Sequence, residues 1–170
     1  IVTWAFAHLR ELYDAYEYET KMEKWTMENF PFIPKEFKSK VKNDDGAKKQ
    51  LKIIKQLANR NDVDKIIAAT DDDREGQLIA HTILNYLNIK KSIYRVLRNE
   101  WTPEDVKKGF KNIIPNSDMD LLRDAALCRQ RTDWLLGINL TSTATLKYVK
   151  GKGVLNVGRV LMPTLKLVYD

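Results

Sequence analysis

The sequence predicts an α/β fold with a parallel sheet, followed by a mainly helical segment, and three observations carry that expectation. Ile66, Ile67, Ala68 and Ala69 form a short continuous apolar run, the pattern of a strand buried on both faces. The run stops at Thr70, an acidic turn follows, and from Gly76 onward Leu78, Ile79, Ile83, Leu84 and Leu87 recur with the period of a helix. A second β-rich run, from Ser92 to Leu97, leads into Thr102-Pro103-Glu104-Asp105, where a capping residue, a proline at the first helical position and acids in the first turn mark a further helix start.

The 170 residues fit one domain, or one domain plus part of another, and 44% apolar residues suffice for a core. A net charge of +6 coexists with a local acidic cluster, the combination expected where a nucleic acid is held while a cation is bound at one spot. Cys128 is the only cysteine, which excludes an internal disulfide and makes a reducing compartment the default. No apolar run reaches membrane-spanning length and no basic segment followed by an apolar core opens the chain, so a soluble, cytoplasmic protein is expected. The chain starts at Ile1, directly in strand-like sequence, and reads as a piece of something longer.

The acidic turn is where the chemistry is expected. Asp71, Asp72, Asp73, Arg74 and Glu75 follow the strand run immediately, and ligands of open parallel sheets bind beyond the carboxyl ends of the strands. Asp71 and Asp73 are two apart and point the same way in extended chain, while Glu75 begins the helix and turns back toward them. Three such carboxylates suit a hard cation with oxygen ligands, and Mg2+ needs few protein ligands because it keeps several waters. Arg74 offers a planar fork for a phosphate. The same acids also serve as helix caps, and both readings stand at this point.

The remaining segments are read in order. Residues 1–9 alternate as in a strand, with His8 near its end as a polar core residue. Residues 10–37, rich in Tyr, Glu, Trp and Pro, form an ordered excursion that packs on the body. A basic stretch from Lys35 to Lys42 ends in a turn at Asn43 to Gly46, and Ala47 to Ala58 reads as a helix whose lysines are solvated. Pro115 to Ser117 breaks the pattern, giving a first domain at 1–114 and a second at 115–170, the latter built of long helices with a turn near Gly151 and Gly153. Arg129 and Asp133, four apart, share a helix face as an intrahelical ion pair, and Gly158-Arg159 reads as a turn bearing an exposed cation.

The string A-T-D-D-D-R-E-G-Q-L-I-A closely resembles the metal-binding motif of the TOPRIM domain in type IA DNA topoisomerases, with Gln77 where that family commonly has glutamate. W-A-F-A-H-L resembles the family's F-G-H-L segment, with Ala7 for glycine, and K-W preceding F-P-F-I-P is similar to the topoisomerase III branch. Y-R-V-L-R-N-E-W-T resembles R-V-x-x-N-E-x-T, while D-A-A-L-C-R-Q-R-T-D-W-L-L-G and L-N-V-G-R-V-L-M-P-T-L resemble A-R-x-R-x-D-W-L-x-G and L-S-x-G-R-V-Q-T-P-T-L, with Asn156 and Leu161 departing from the pattern.

The resemblance implies a Rossmann-like TOPRIM sheet that lacks its first strand, followed by part of a helical DNA-binding domain. It implies an enzyme that cleaves and rejoins single DNA strands through a covalent tyrosine intermediate. Asp71, Asp73 and Glu75 would hold Mg2+, with His8 and Arg74 near the phosphate. Arg95, Arg129, Asp133, Gly158 and Arg159 would contact or position single-stranded DNA. The seven tyrosines lack the Pro-Arg-Thr-like context of the family's nucleophile, and its first-strand glutamate would precede Ile1, so this chain alone is expected to be inactive. The alternatives are another TOPRIM enzyme, a primase or nuclease, and a non-catalytic DNA-binding module.

Overall fold

The strand expected over residues 1–9 does not form. Alternation makes a strand only where a neighbour completes its ladder, and among the described residues this stretch belongs to neither sheet, although at its end the Leu9 carbonyl accepts from the Lys42 N–H at 3.1 Å. Its main chain is tied instead by Gln50, whose Nε2 donates to the Trp4 carbonyl at 2.5 Å and to Thr3 Oγ1 at 3.2 Å. Ile1, Val2 and Trp4 remain exposed. Pairing begins just beyond, where β1 (Arg10–Leu12) is followed by α1 (Ala15–Tyr18) and two 3-10 turns, Thr20–Glu23 and Met27–Asn29, before β2 (Ser39–Val41) pairs back with β1.

This computed structural model describes residues 1–98 and 100–170; Asn99, the asparagine of the R-N-E string, lies outside them. The chain divides into two compact units, Ile1–Glu11 with Lys40–Leu127, and Leu12–Ser39 with Cys128–Asp170.

The first unit contains the sheet. α2 (Asp45–Ala58) starts two residues earlier than its apolar pattern suggests, because Asp44 caps it by accepting from the Ala47 N–H at 2.8 Å. β3 (Lys65–Ala68), α3 (Arg74–Tyr86) and β4 (Ser92–Arg95) then form a strand-helix-strand unit with β3 and β4 parallel, Lys65 opposite Ser92 and Ala68 opposite Arg95. α4 (Pro103–Lys111) begins as its capping sequence predicts, with Thr102 Oγ1 accepting from the Asp105 N–H at 3.2 Å. β5 (Ile114–Pro115) closes the sheet antiparallel to β4. The core is made by Leu9, Ala47, Leu51, Ile54, Ile83 and Leu87, one face each of α2 and α3.

The second unit has its own core, in which Ala15, Met22 and Phe32 pack with Tyr18, Phe30, Trp134 and Ile138. Asn139 brackets the Phe32 main chain, accepting from its N–H at 2.6 Å and donating to its carbonyl at 2.9 Å. The residues between Leu12 and Ser39 are thus ordered by an aromatic core that they share with Trp134 and Ile138. α5 (Asp120–Tyr148) contains the boundary between the units, whereas the sequence break at Pro115 to Ser117 corresponds to β5 and the 3-10 turn Asn116–Met119. The turn after α5 uses Gly151 and Gly153, both at positive φ (118° and 140°), and leads to α6 (Leu161–Tyr169). Among the described residues no helix is long and apolar enough to cross a membrane.

Candidate metal and phosphate site

The parallel register that sets Ala68 beside Arg95 sends two chains out of the sheet together, so that three residues further on Asp71 and Arg98 are neighbours. The turn between β3 and α3 is held from beneath. Arg95, whose side chain is fully buried, donates Nη1 to Thr70 Oγ1 at 2.6 Å and Nη2 to the Asp71 carbonyl. Thr70 in turn donates its hydroxyl to the Gly76 carbonyl at 2.7 Å, tying the strand exit to the first turn of the helix. Burial lowers the Arg95 pKa from the ordinary guanidinium value, and the Asp72 carboxylate, 3.8 Å away, opposes that shift.

Gly76 is required by contact rather than by dihedral angle. A Cβ there would lie 2.2 Å from the Asp71 carbonyl oxygen and 2.7 Å from its nitrogen, so the helix starts directly against the backbone of the turn. Asp73 caps α3, its Oδ1 accepting from the Gly76 N–H at 2.7 Å.

The expected convergence of Asp71, Asp73 and Glu75 is not present: among the described residues no group of three potential ligands encloses a metal position. Each acid has a separate neighbour. Asp73 is drawn to the helix end, Glu75 lies 3.8 Å from His8 Nε2, and Asp71, with 78% of its side chain exposed, lies 3.4 Å from Arg98 Nη2. The donor chemistry nevertheless fits Mg2+, which takes one or two carboxylates and completes its shell with water, and Asp71 and Asp73 supply hard oxygens at an exposed turn. Arg74 is exposed at the first position of α3.

Arg95 departs from its expected position on the DNA backbone. Its guanidinium is buried under the acidic turn, where it braces main-chain and hydroxyl oxygens. Three participants escaped the sequence reading: Thr70, Asp72 and Arg98. Asp72 accepts from the Arg98 N–H and lies 3.7 Å from Arg98 Nη1. The signal that finds them is the pair Arg95 and Arg98 at the end of the strand parallel to the acid-bearing one.

His8 Nε2 lies 3.8 Å from a Glu75 carboxylate oxygen, a pairing the sequence did not predict. Partial burial lowers its pKa from 6.5, Glu75 works in the opposite direction, and Lys42 adds to the lowering. Because the folded chain binds this proton less readily than the unfolded chain, its contribution to stability is present above the unfolded pKa and is lost as pH falls through 6.5 toward the folded value.

In the second unit Arg159 grips Asp133 with both arms of its fork, Nε at 2.5 Å and Nη2 at 3.0 Å, and Arg129 Nε lies 3.7 Å from the same carboxylate. The plain intrahelical pair is therefore part of a three-residue cluster. A Cβ at Gly158 would meet nothing within 4 Å among the described residues, so packing within the protein does not demand glycine there.

A strand-turn-helix with this acidic exit, next to a parallel strand, matches the Toprim domain family model over residues 1–101, and the chain belongs to that family. Residues 117–170 match a second model, described as DNA topoisomerase, which sets the chain apart from other Toprim enzymes and bears out the expected resemblance to topoisomerases. The DNA topoisomerase 3 of Bacillus thuringiensis (strain Al Hakam) is 38% identical over 170 residues, all of this chain and 23% of that protein. That of Staphylococcus aureus (strain USA300) is 39% identical over 168 residues, 99% of this chain and 23% of its own length. Full-length topoisomerase I from Thermotoga maritima superposes with a TM-score of 0.62 at 28% identity, over 95% of this chain and 24% of that one. The chain thus spans about a quarter of the length of these proteins.

Two outcomes follow from this geometry. Gly76→Ala forces a Cβ into the Asp71 backbone and should cost about 1–3 kcal/mol in urea unfolding. In an NMR titration the His8 resonance should titrate below 6.5, and Glu75→Gln, which removes the carboxylate that supports protonation, should lower it further.

Proposed function

We propose that this chain is the cation-binding and strand-positioning part of a type IA DNA topoisomerase of the topoisomerase III kind, an enzyme that cuts and rejoins single DNA strands to relax or decatenate DNA. The observation that carries the proposal is the acidic turn held outward at the end of β3 by the buried Arg95. The family models and the topoisomerase 3 relatives support the assignment. Residues 1–114 form the TOPRIM part and 115–170 the start of the DNA-binding part.

Asp71 and Asp73 would hold Mg2+ through one carboxylate each, with Glu75 close by on the first turn of α3. The ion supplies charge neutralisation beside a phosphodiester. Arg74 presents its fork to the phosphate, and His8 exchanges or holds a proton at Nε2 under the control of Glu75. Asp133 orients Arg129 and Arg159 so that the guanidinium N–H groups not turned to it meet a sugar-phosphate chain, and the open space at Gly158 lets that chain approach the main chain closely. None of the seven tyrosines has the Pro-Arg-Thr-like context of the family's nucleophile, so no covalent step is placed on these residues.

Calorimetric titration with MgCl2 should show weak binding that disappears when Asp71 and Asp73 are both changed to Asn; unchanged binding would leave the acids as helix caps only. Single-stranded DNA should bind weakly, with a salt slope that Arg159→Ala shallows by about 0.7. Asp133→Asn separates an organised cluster from a generally basic surface. It adds positive charge, yet it should weaken binding in fluorescence anisotropy at fixed salt, because the two arginines lose their orientation; tighter binding would refute the assignment.

A further inference from the structure

We infer that Arg98 is a resident counter-cation of the acidic turn that competes with a divalent ion for Asp71, an inference that rests on the Mg2+ reading above. The Arg98 side chain is 5% exposed, although it follows the exit of a strand and faces a solvent-exposed carboxylate. Its guanidinium carbon sits over the Trp101 ring, 3.5 Å from the centroid, a cation–π contact that holds it in place. From that platform Nη1 donates to the Thr70 carbonyl at 3.1 Å, and the two arms face Asp71 Oδ1 at 3.4 Å and Asp72 Oδ1 at 3.7 Å.

The two acids are held unequally. Asp72 has 24% of its side chain exposed and also accepts from the Arg98 main-chain N–H, so it stays with the arginine. Asp71 is 78% exposed and reached by one long contact, so it is the carboxylate that can be given up. Arg98 thus offsets the repulsion among adjacent acids when no metal is bound. When an ion takes Asp71, a guanidinium remains pinned on Trp101 within Coulomb range of it, and the two positive charges oppose each other. A neutral side chain at this position removes that opposition. Arg95 cannot play the part, because its fork is spent on Thr70 Oγ1 and main-chain oxygen beneath the turn.

The test is MgCl2 calorimetry on the full chain, comparing the parent with Arg98→Gln and Arg98→Lys, and with the Asp71→Asn/Asp73→Asn double variant as the metal control. Arg98→Gln should bind Mg2+ about tenfold more tightly, the effect of removing one like charge close to a divalent ion at water-like dielectric. Arg98→Lys, which keeps the charge, should stay within about twofold of the parent. On the unaltered protein, Mg2+ should move the Arg98 Nε resonance and leave that of Arg95 in place, a readout independent of whether any variant folds. Equal or weaker binding by Arg98→Gln, or an Arg98 resonance indifferent to Mg2+, overturns the inference while leaving the metal reading intact. Absence of binding by parent and Arg98→Gln alike overturns both.

Discussion

The buried guanidinium of Arg95 is the constraint on which the rest of the first unit depends. An arginine with no exposed side-chain surface is costly unless its charge finds partners, and here Nη1 and Nη2 find them on the Thr70–Asp71 turn, with the Asp72 carboxylate 3.8 Å away, while Nε stays unpaired. The arrangement puts a positive charge beneath adjacent aspartates and fixes their main chain without consuming the Asp71 and Asp73 carboxylates. The parallel pairing of β3 with β4 is what delivers Arg95 to that spot, and the absence of a side chain at Gly76 is what lets α3 start close enough for Thr70 to reach its first turn.

The two units handle charge by different means. In the first, closely spaced acids are balanced by arginines that are themselves shielded from water, one by the sheet and one by an indole ring. In the second, one aspartate is shared by two arginines that are each partly exposed, so the cluster retains a positive excess toward solvent. Asp133 raises the pKa of Arg159 through their hydrogen bond, which keeps that charge in place at any pH where the protein is folded. A hard cation suits the first arrangement and a phosphate the second.

Much of this was legible in the sequence because it rests on local rules. The apolar run before Thr70, the period of α3 and the capping string at Thr102 each located an element within a residue or two. Residues 1–9 misled because alternation is only half of a strand; the other half is a partner, which sequence pattern does not supply. The convergence of Asp71, Asp73 and Glu75 was inferred from extended-chain geometry, but Asp73 turns into a cap and Glu75 toward His8. Arg95 and Arg98 were misread or passed over because their meaning comes from a register between strands 27 residues apart, which no window of local sequence contains. Gln77 belongs to the same class: it is fully buried and its Nε2 donates to Asn116 Oδ1 at 3.0 Å, a partner 39 residues away in the chain.

The 25-residue separation between Thr70 and Arg95 also orders events during synthesis. A nascent chain that has just released α3 from the ribosome already carries its acids, its capping aspartate and its glycine, but the brace, only nine residues past Tyr86, is still enclosed in the exit tunnel. Until β4 emerges and pairs, the aspartates repel one another on an unsupported loop. The acidic exit therefore reaches its final shape only after the second strand arrives, so that the acids are made well before the charge that steadies them.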